Sequence, residues 1–144
     1  MTGDTTIGLS PQAQEFQWLL GKFVDETHGV TEAIAVSADG LLIAASTTAD
    51  PAGAQRLAAV VSGMISLAGG AARSYHLGGL HKVIVDMTGG YFVITAISET
   101  SVLGVIAERS ASLGGVAYDM TMFAARVGHM LTPATIAELK KSMV

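Results

Sequence analysis

The residues able to do chemistry are few in this chain: histidines at 28, 76, 81 and 129, twelve carboxylates, scattered serines and no cysteine. Without thiols there are no disulfides and no thiolate metal sites. His76 and His81 flank the pair Gly78-Gly79, but they lack the one-turn spacing of a helical zinc pair and have no glutamate between them. His28 falls at a helix end, where a cation is favoured in any case. Asp86 stands out because it interrupts the apolar run KVIVDM. Strand alternation puts Lys82, Ile84 and Asp86 on one face and Val83, Val85 and Met87 on the other, which reads as an exposed polar row. No nucleophile–base–orienter set can be written from sequence.

Phosphate-binding loops are absent as well. No two glycines are separated by a single residue, so the dinucleotide fingerprint has no place. Gly21-Lys22 is followed by Phe23 and lacks the earlier glycine of a P-loop. The doubled glycines at 78–79 and 89–90 read as turns, and those at 69–70 and 114–115 as close-approach points within helices. Eight Lys and Arg are scattered from Lys22 to Lys141 under a net charge of −4, which leaves no basic stripe for nucleic acid. The expectation is a non-enzymatic chain with no cofactor, no metal and no catalytic residues.

The elements explain what the chain offers instead. At 144 residues it is one domain by length. Residues 1–9 form a lead without periodicity, and MTGDTTIGLSPQ has neither the basic start nor the apolar core of a signal peptide; a cytoplasmic location is expected. Ser10-Pro11 caps a first helix with Phe16, Leu19, Leu20, Phe23 and Val24 on one stripe and Gly29 as its stop. Trp18 lies off that stripe and flattens over neighbouring surface. Strands at about 31–37 and 41–46 flank the hairpin signal Ala38-Asp39-Gly40. The loop from Thr47 to Pro51 leads to a long helix. Three strands follow, LHKVIVDM, YFVITAIS and SVLGVIAE, joined by connections too short for parallel crossovers. The last is apolar throughout its middle and suits a central strand. A third helix runs from Leu113 to Leu131, with Asp119, Arg126 and His129 opposite its apolar side, and Pro133 ends or restarts it. This predicts an α+β domain over residues 10–131 in the order α-β-β-α-β-β-β-α, with a five-stranded antiparallel sheet and helices on both faces. The tail at 132–144 has room for a short helix.

The long helix is the most informative element. From Leu57 to Ala72 the run LAAVVSGMISLAGGAA contains nothing more polar than two serines, with Arg56 and Arg73 at its ends. A surface helix should carry one apolar and one charged face, and this one has no charged face. A membrane span needs about 17 residues at the least, and the run is 16 long, Gly/Ala/Ser-rich and set between strands. A helix buried between its own sheet and a second protein molecule explains it better. The low charged share, 14% against about 25% in ordinary domains, points the same way.

These segments together (VTEAIAVSADGLLIAAS, AAVVSGMISLAGGAA, LHKVIVDM, the Gly-Gly turn into YFVITAIS, and SVLGVIAE) resemble the Roadblock/LC7 family over about residues 12–131. The similarity is greatest to small bacterial members, the actinobacterial kind that accompany a small GTPase in conservon clusters. The resemblance implies a profilin-like sandwich and a homodimer in which long helices pack together and third strands pair edge to edge. Carried onto this chain, the partner-facing residues are Leu57, Val60, Val61, Met64, Leu67, Ala68 and Ala71, with Leu80, Lys82, Ile84 and Asp86 on the pairing edge. It further implies a Ras-like small GTPase as partner, allows a sensor kinase in the same complex, and allows recruitment to a membrane through a partner without insertion. Arg56 and Arg73 are read as helix-end residues capping a dimer contact rather than as arginine fingers. The competing reading is a small-molecule sensor on the same frame, with the Gly78-Gly79 and Gly89-Gly90 turns rimming a pocket.

Overall fold

The computed structural model describes residues 8–46 and 50–143. Helix α1 (Pro11–Glu26) starts where Ser10-Pro11 predicts: Ser10 Oγ accepts from the Ala13 N–H, and proline takes the first helical position. Ala13, Phe16, Leu20 and Phe23 form its buried stripe. The helix stops at Glu26, and Gly29 turns the chain at φ +86°. A Cβ there would lie 2.9 Å from Ala111 Cα, so conformation and space both require glycine.

Strands β1 (Val30–Ser37) and β2 (Leu42–Ala45) form the expected hairpin, with Gly40 at φ +82° and the Ser37 N–H donating to the Leu41 carbonyl. Helix α2 (Pro51–Ser74) follows, then β3 (Lys82–Met87), β4 (Gly90–Ser98) and β5 (Ser101–Glu108). The sheet is antiparallel throughout, in the order β2-β1-β5-β4-β3. The apolar β5 takes the centre, as its composition predicts.

Alternation along the strands sorts the core into two layers. Ala33, Ala35, Val93, Leu103 and Val105 face α1 and the C-terminal helices; Ile34, Val36, Phe92 and Ile94 face α2. Phe23 of α1 meets Phe123 with ring centroids 4.9 Å apart. The mid-strand Gly104 brings α2 close: a Cβ there would sit 3.0 Å from Val61 Cγ2.

The C-terminal region departs from expectation. Helix α3 (Leu113–Val127) ends before the predicted Leu131, and a 3-10 turn covers Gly128–Met130. Gly128 lies against the Ile97 carbonyl, where a Cβ would sit 3.1 Å away, and Thr132 is extended ahead of Pro133. Met130 and Leu131 remain buried, so the apolar period outlasts the helix. The tail is a ten-residue helix, α4 (Pro133–Ser142), whose Ile136 and Leu139 join the core beside α1. It is fastened by the Ser10 N–H donating to Glu138 Oε2 (2.8 Å) and by Lys140 on Asp39 (2.8 Å). Of the lead read at residues 1–9, residues 1–7 lie outside the described residues, while Leu9 packs on the core. Thr47, Thr48 and Ala49 of the expected loop also lie outside them.

Candidate protein-association surface

Helix α2 touches its own sheet along one narrow stripe. Asp50 caps it, its carboxylate accepting from the Gly53 N–H, and Pro51 takes the first position. Ala54, Ala58 and Val61, spaced at i, i+4 and i+7, are the only buried residues on it. The opposite side is open and uncharged: Val60 is 46% exposed and Leu67 80%, with Ala59, Gly63 and Ser66 exposed beside them. Beyond the helix end, Tyr75 (76%) and Leu77 (70%) prolong the apolar surface. Such a contiguous exposed patch marks an association site. The 24-residue helix is long and apolar enough to cross a membrane by length and composition, which corrects the length comparison made on the 16-residue run. Its inner stripe is nevertheless seated on the sheet.

One candidate is corrected. Val61 does not face outward: it is fully buried against Gly104 and the Ile34–Phe92 layer. Its neighbour Val60 takes the exposed direction. Leu57 and Met64 are half-buried at the border of the sheet contact, Ala68 is half-buried, and Ala71 is exposed. Leu80 precedes β3 and is half-buried. Lys82, Ile84 and Asp86 share one face of β3 as alternation predicts. Lys82 donates to Thr121 Oγ1 on α3, and Asp86 pairs with Arg109. Val83 and Val85 pack on the α2 side.

The helix-end arginines differ in role. Arg56 Nη2 lies 3.6 Å from Asp50 with both side chains exposed, a pair of little energetic weight. Arg73 folds back along the helix towards Gly69. Arg109 was not legible as a site residue, because its partner lies 23 positions away in sequence. It also lies over the Tyr91 ring at 4.8 Å, and the hydrogen bond and charge of Asp86 raise its pKa above the usual value. Trp18 is 61% exposed with Lys22 Nζ 4.9 Å from its ring centre.

Beside α2 an open groove of about 550 Å³ runs between Leu57, Val60 and Met64 on one side and Met87, Gly89 and Tyr91 on the other. The Gly89-Gly90 turn rims it as the sensor reading expects; Gly78-Gly79 does not. Its polar side chains are Thr31, Tyr91 and Glu108, few for orienting a small polar metabolite. Among the described residues no three His, Asp or Glu are grouped to hold a metal ion.

An antiparallel sheet, crossed on one side by a helix that is uncharged between Arg56 and Arg73, defines a small α+β association domain. The chain belongs to the Roadblock/LC7 domain family, whose model matches residues 16–107. Two solved Roadblock/LC7 domains from Streptomyces avermitilis are similar to it. One is 28% identical with a TM-score of 0.72, the alignment covering 77% of this chain and 92% of the other. The second is 31% identical with a TM-score of 0.65, covering 78% and 97%. The gliding protein MglB from Thermus thermophilus shares the fold at 15% identity, with a TM-score of 0.75 and coverage of 84% and 91%. A search of curated proteins finds no match.

Proposed function

We propose that this chain is a non-enzymatic regulatory module that works as a homodimer and binds a Ras-like small GTPase in bacterial signalling, modulating its nucleotide cycle or its location. The observation that carries the reading is the outer face of α2, uncharged between Arg56 and Arg73 and open at Val60 and Leu67. Exposed apolar surface of this kind is stabilised by a second protein rather than by water. Family membership supports a protein partner, and the resemblance drawn from the sequence supplies its class. The working location is the cytoplasm, with any membrane contact made through a partner.

The test is recovery of the tagged full chain from its native cell with GTP or GDP present, followed by binding of the purified pair. A small GTPase retained in a nucleotide-dependent way is the expected result. Recovery of the homodimer alone, or of a bound metabolite seated in the groove beside Met64 and Met87, overturns the GTPase assignment and favours the sensor.

A further inference from the structure

We infer that α4 is a strap whose far end clasps the first turns of α2, so that the C-terminal helix controls how firmly the association helix sits on the sheet. The control of association rests on the homodimer reading above; the clasp itself does not.

Helix α2 holds its own sheet lightly. Its fully buried side chains are two alanines and a valine, Ala54, Ala58 and Val61, and a buried methyl contributes much less than a buried leucine. Any further contact on this stretch therefore weighs heavily in keeping the helix down.

The sheet divides the core into two layers, and α4 reaches both. Ile136 and Leu139 are buried in the layer beneath α1. Met143, at the helix end, packs half-buried against the α2-side cluster that holds Leu42, Ala54 and Ala58. Between them the chain passes round the sheet at β2, the short edge strand. A hydrogen bond ties the end down: Gln55 Nε2 of α2 donates to the Met143 carbonyl at 3.1 Å. That carbonyl lies at the C-cap of α4, where a helix leaves its last C=O groups without intrahelical partners. One contact thus closes one helix end and fixes the first turns of another, 88 residues earlier.

The root of the strap is anchored separately. Thr135, itself buried, donates through Oγ1 to Gln12 Oε1 at 3.2 Å. Glu138 accepts from the Ser10 N–H, and Lys140 meets Asp39 at the tip of the β1–β2 hairpin. These contacts hold α4 to α1 and the hairpin, whereas the clasp on α2 is made at Met143. A firm root with one half-buried clasp is a latch that opens without unfolding α4. Opening removes one hydrogen bond and one methionine contact and loosens α2 around Ala54 and Ala58. By linkage, whatever binds the seated α2 favours the closed latch, and whatever draws α4 away weakens that binding.

Hydrogen exchange at low protein concentration reads the latch in the monomer. Gln55→Ala and Met143→Ala should each speed exchange over residues 54–64 about two- to tenfold, the factor for one ordinary hydrogen bond, while β4 and β5 keep the wild-type rate. The chain has no cysteine, so Gln55→Cys with Met143→Cys supplies a unique pair for a short bis-maleimide. Joined, that protein should exchange over residues 54–64 as slowly as wild type; capped singly with N-ethylmaleimide, it should exchange faster. Sedimentation should show the opened forms self-associating more weakly by a similar factor, with recovery in the joined form. Wild-type exchange over residues 54–64 in both alanine variants overturns the clasp. So does acceleration spread evenly through β4 and β5, which marks ordinary loss of stability. Faster exchange confined to α2 with unchanged self-association keeps the clasp and overturns its control of association. A monomeric wild type overturns the homodimer reading and that control together, and the exchange rates still decide the clasp.

Discussion

Two substitutions six residues apart on α2 should have opposite consequences. Leu67 is 80% exposed and Val61 is fully buried. Burying a whole leucine side chain is worth about 1.5–3 kcal/mol, so covering four-fifths of one returns about 1.2–2.4 kcal/mol per copy. A symmetric dimer covers it twice. Leu67→Asp should therefore cost the dimer about 2.4–4.8 kcal/mol, a rise in Kd of roughly 60- to 3000-fold, before any cost of burying the new charge. The folded monomer should lose little, since the side chain touches almost nothing in its own chain. Val61→Asp does the reverse: it puts an unpaired carboxylate between α2 and Gly104, at a cost of several kcal/mol to folding itself. Sedimentation across a concentration series reads the first effect, and thermal melting at low concentration reads the second. The reasoning is refuted if Leu67→Asp dimerises as wild type does, or if Val61→Asp melts normally and only fails to associate.

Other consequences follow from single contacts. Gly29→Ala should lower the melting temperature, because φ +86° strains any side chain and Ala111 occupies the space; a cost of about 1–3 kcal/mol is expected from such strain and overpacking. Leu139→Ala, in the fully buried heart of α4, should cost about 2–5 kcal/mol, and an unchanged denaturation midpoint would show that α4 lies outside the cooperative unit. Asp39, hydrogen-bonded to Lys140 and Ser37, is lowered from 3.8 to about 2. A depressed carboxylate stabilises the fold above its unfolded value and loses that contribution as pH falls through its folded one. Asp39→Asn should thus melt below wild type at neutral pH, with the gap closing between pH 3.8 and about 2.

Much of the architecture was legible because particular residues left one choice. Asp39-Gly40 between aliphatic runs specified the hairpin, the apolar middle of β5 specified the central position, and alternation set Lys82, Ile84 and Asp86 on their shared face. The inner and outer sides of α2 were not legible for the same reason that the helix drew notice: with no charges, period alone cannot say whether Val60 or Val61 faces the sheet. Gly104, a missing side chain on a distant strand, makes that choice, and nothing near Val61 in sequence reports it. The hydrophobic spacing runs past the end of α3 because Met130 and Leu131 stay buried after the helix stops at Gly128. The Asp86–Arg109 pair joins two loci that only the β3–β4–β5 meander brings together.

All three buried residues of α2 lie before its midpoint. After Val61 no side chain is fully held by the chain's own sheet, and Gly69 and Gly70 weaken the helix further by about 1 kcal/mol each relative to alanine. In a free protomer the last turns, through Ser74, should therefore sit at the low end of local stability and open before the sheet does. Association would order them, so part of the free energy of contact is spent in winding the helix that makes it. Amide exchange over residues 66–74 should then slow as protein concentration rises, making those peptide groups an internal gauge of assembly.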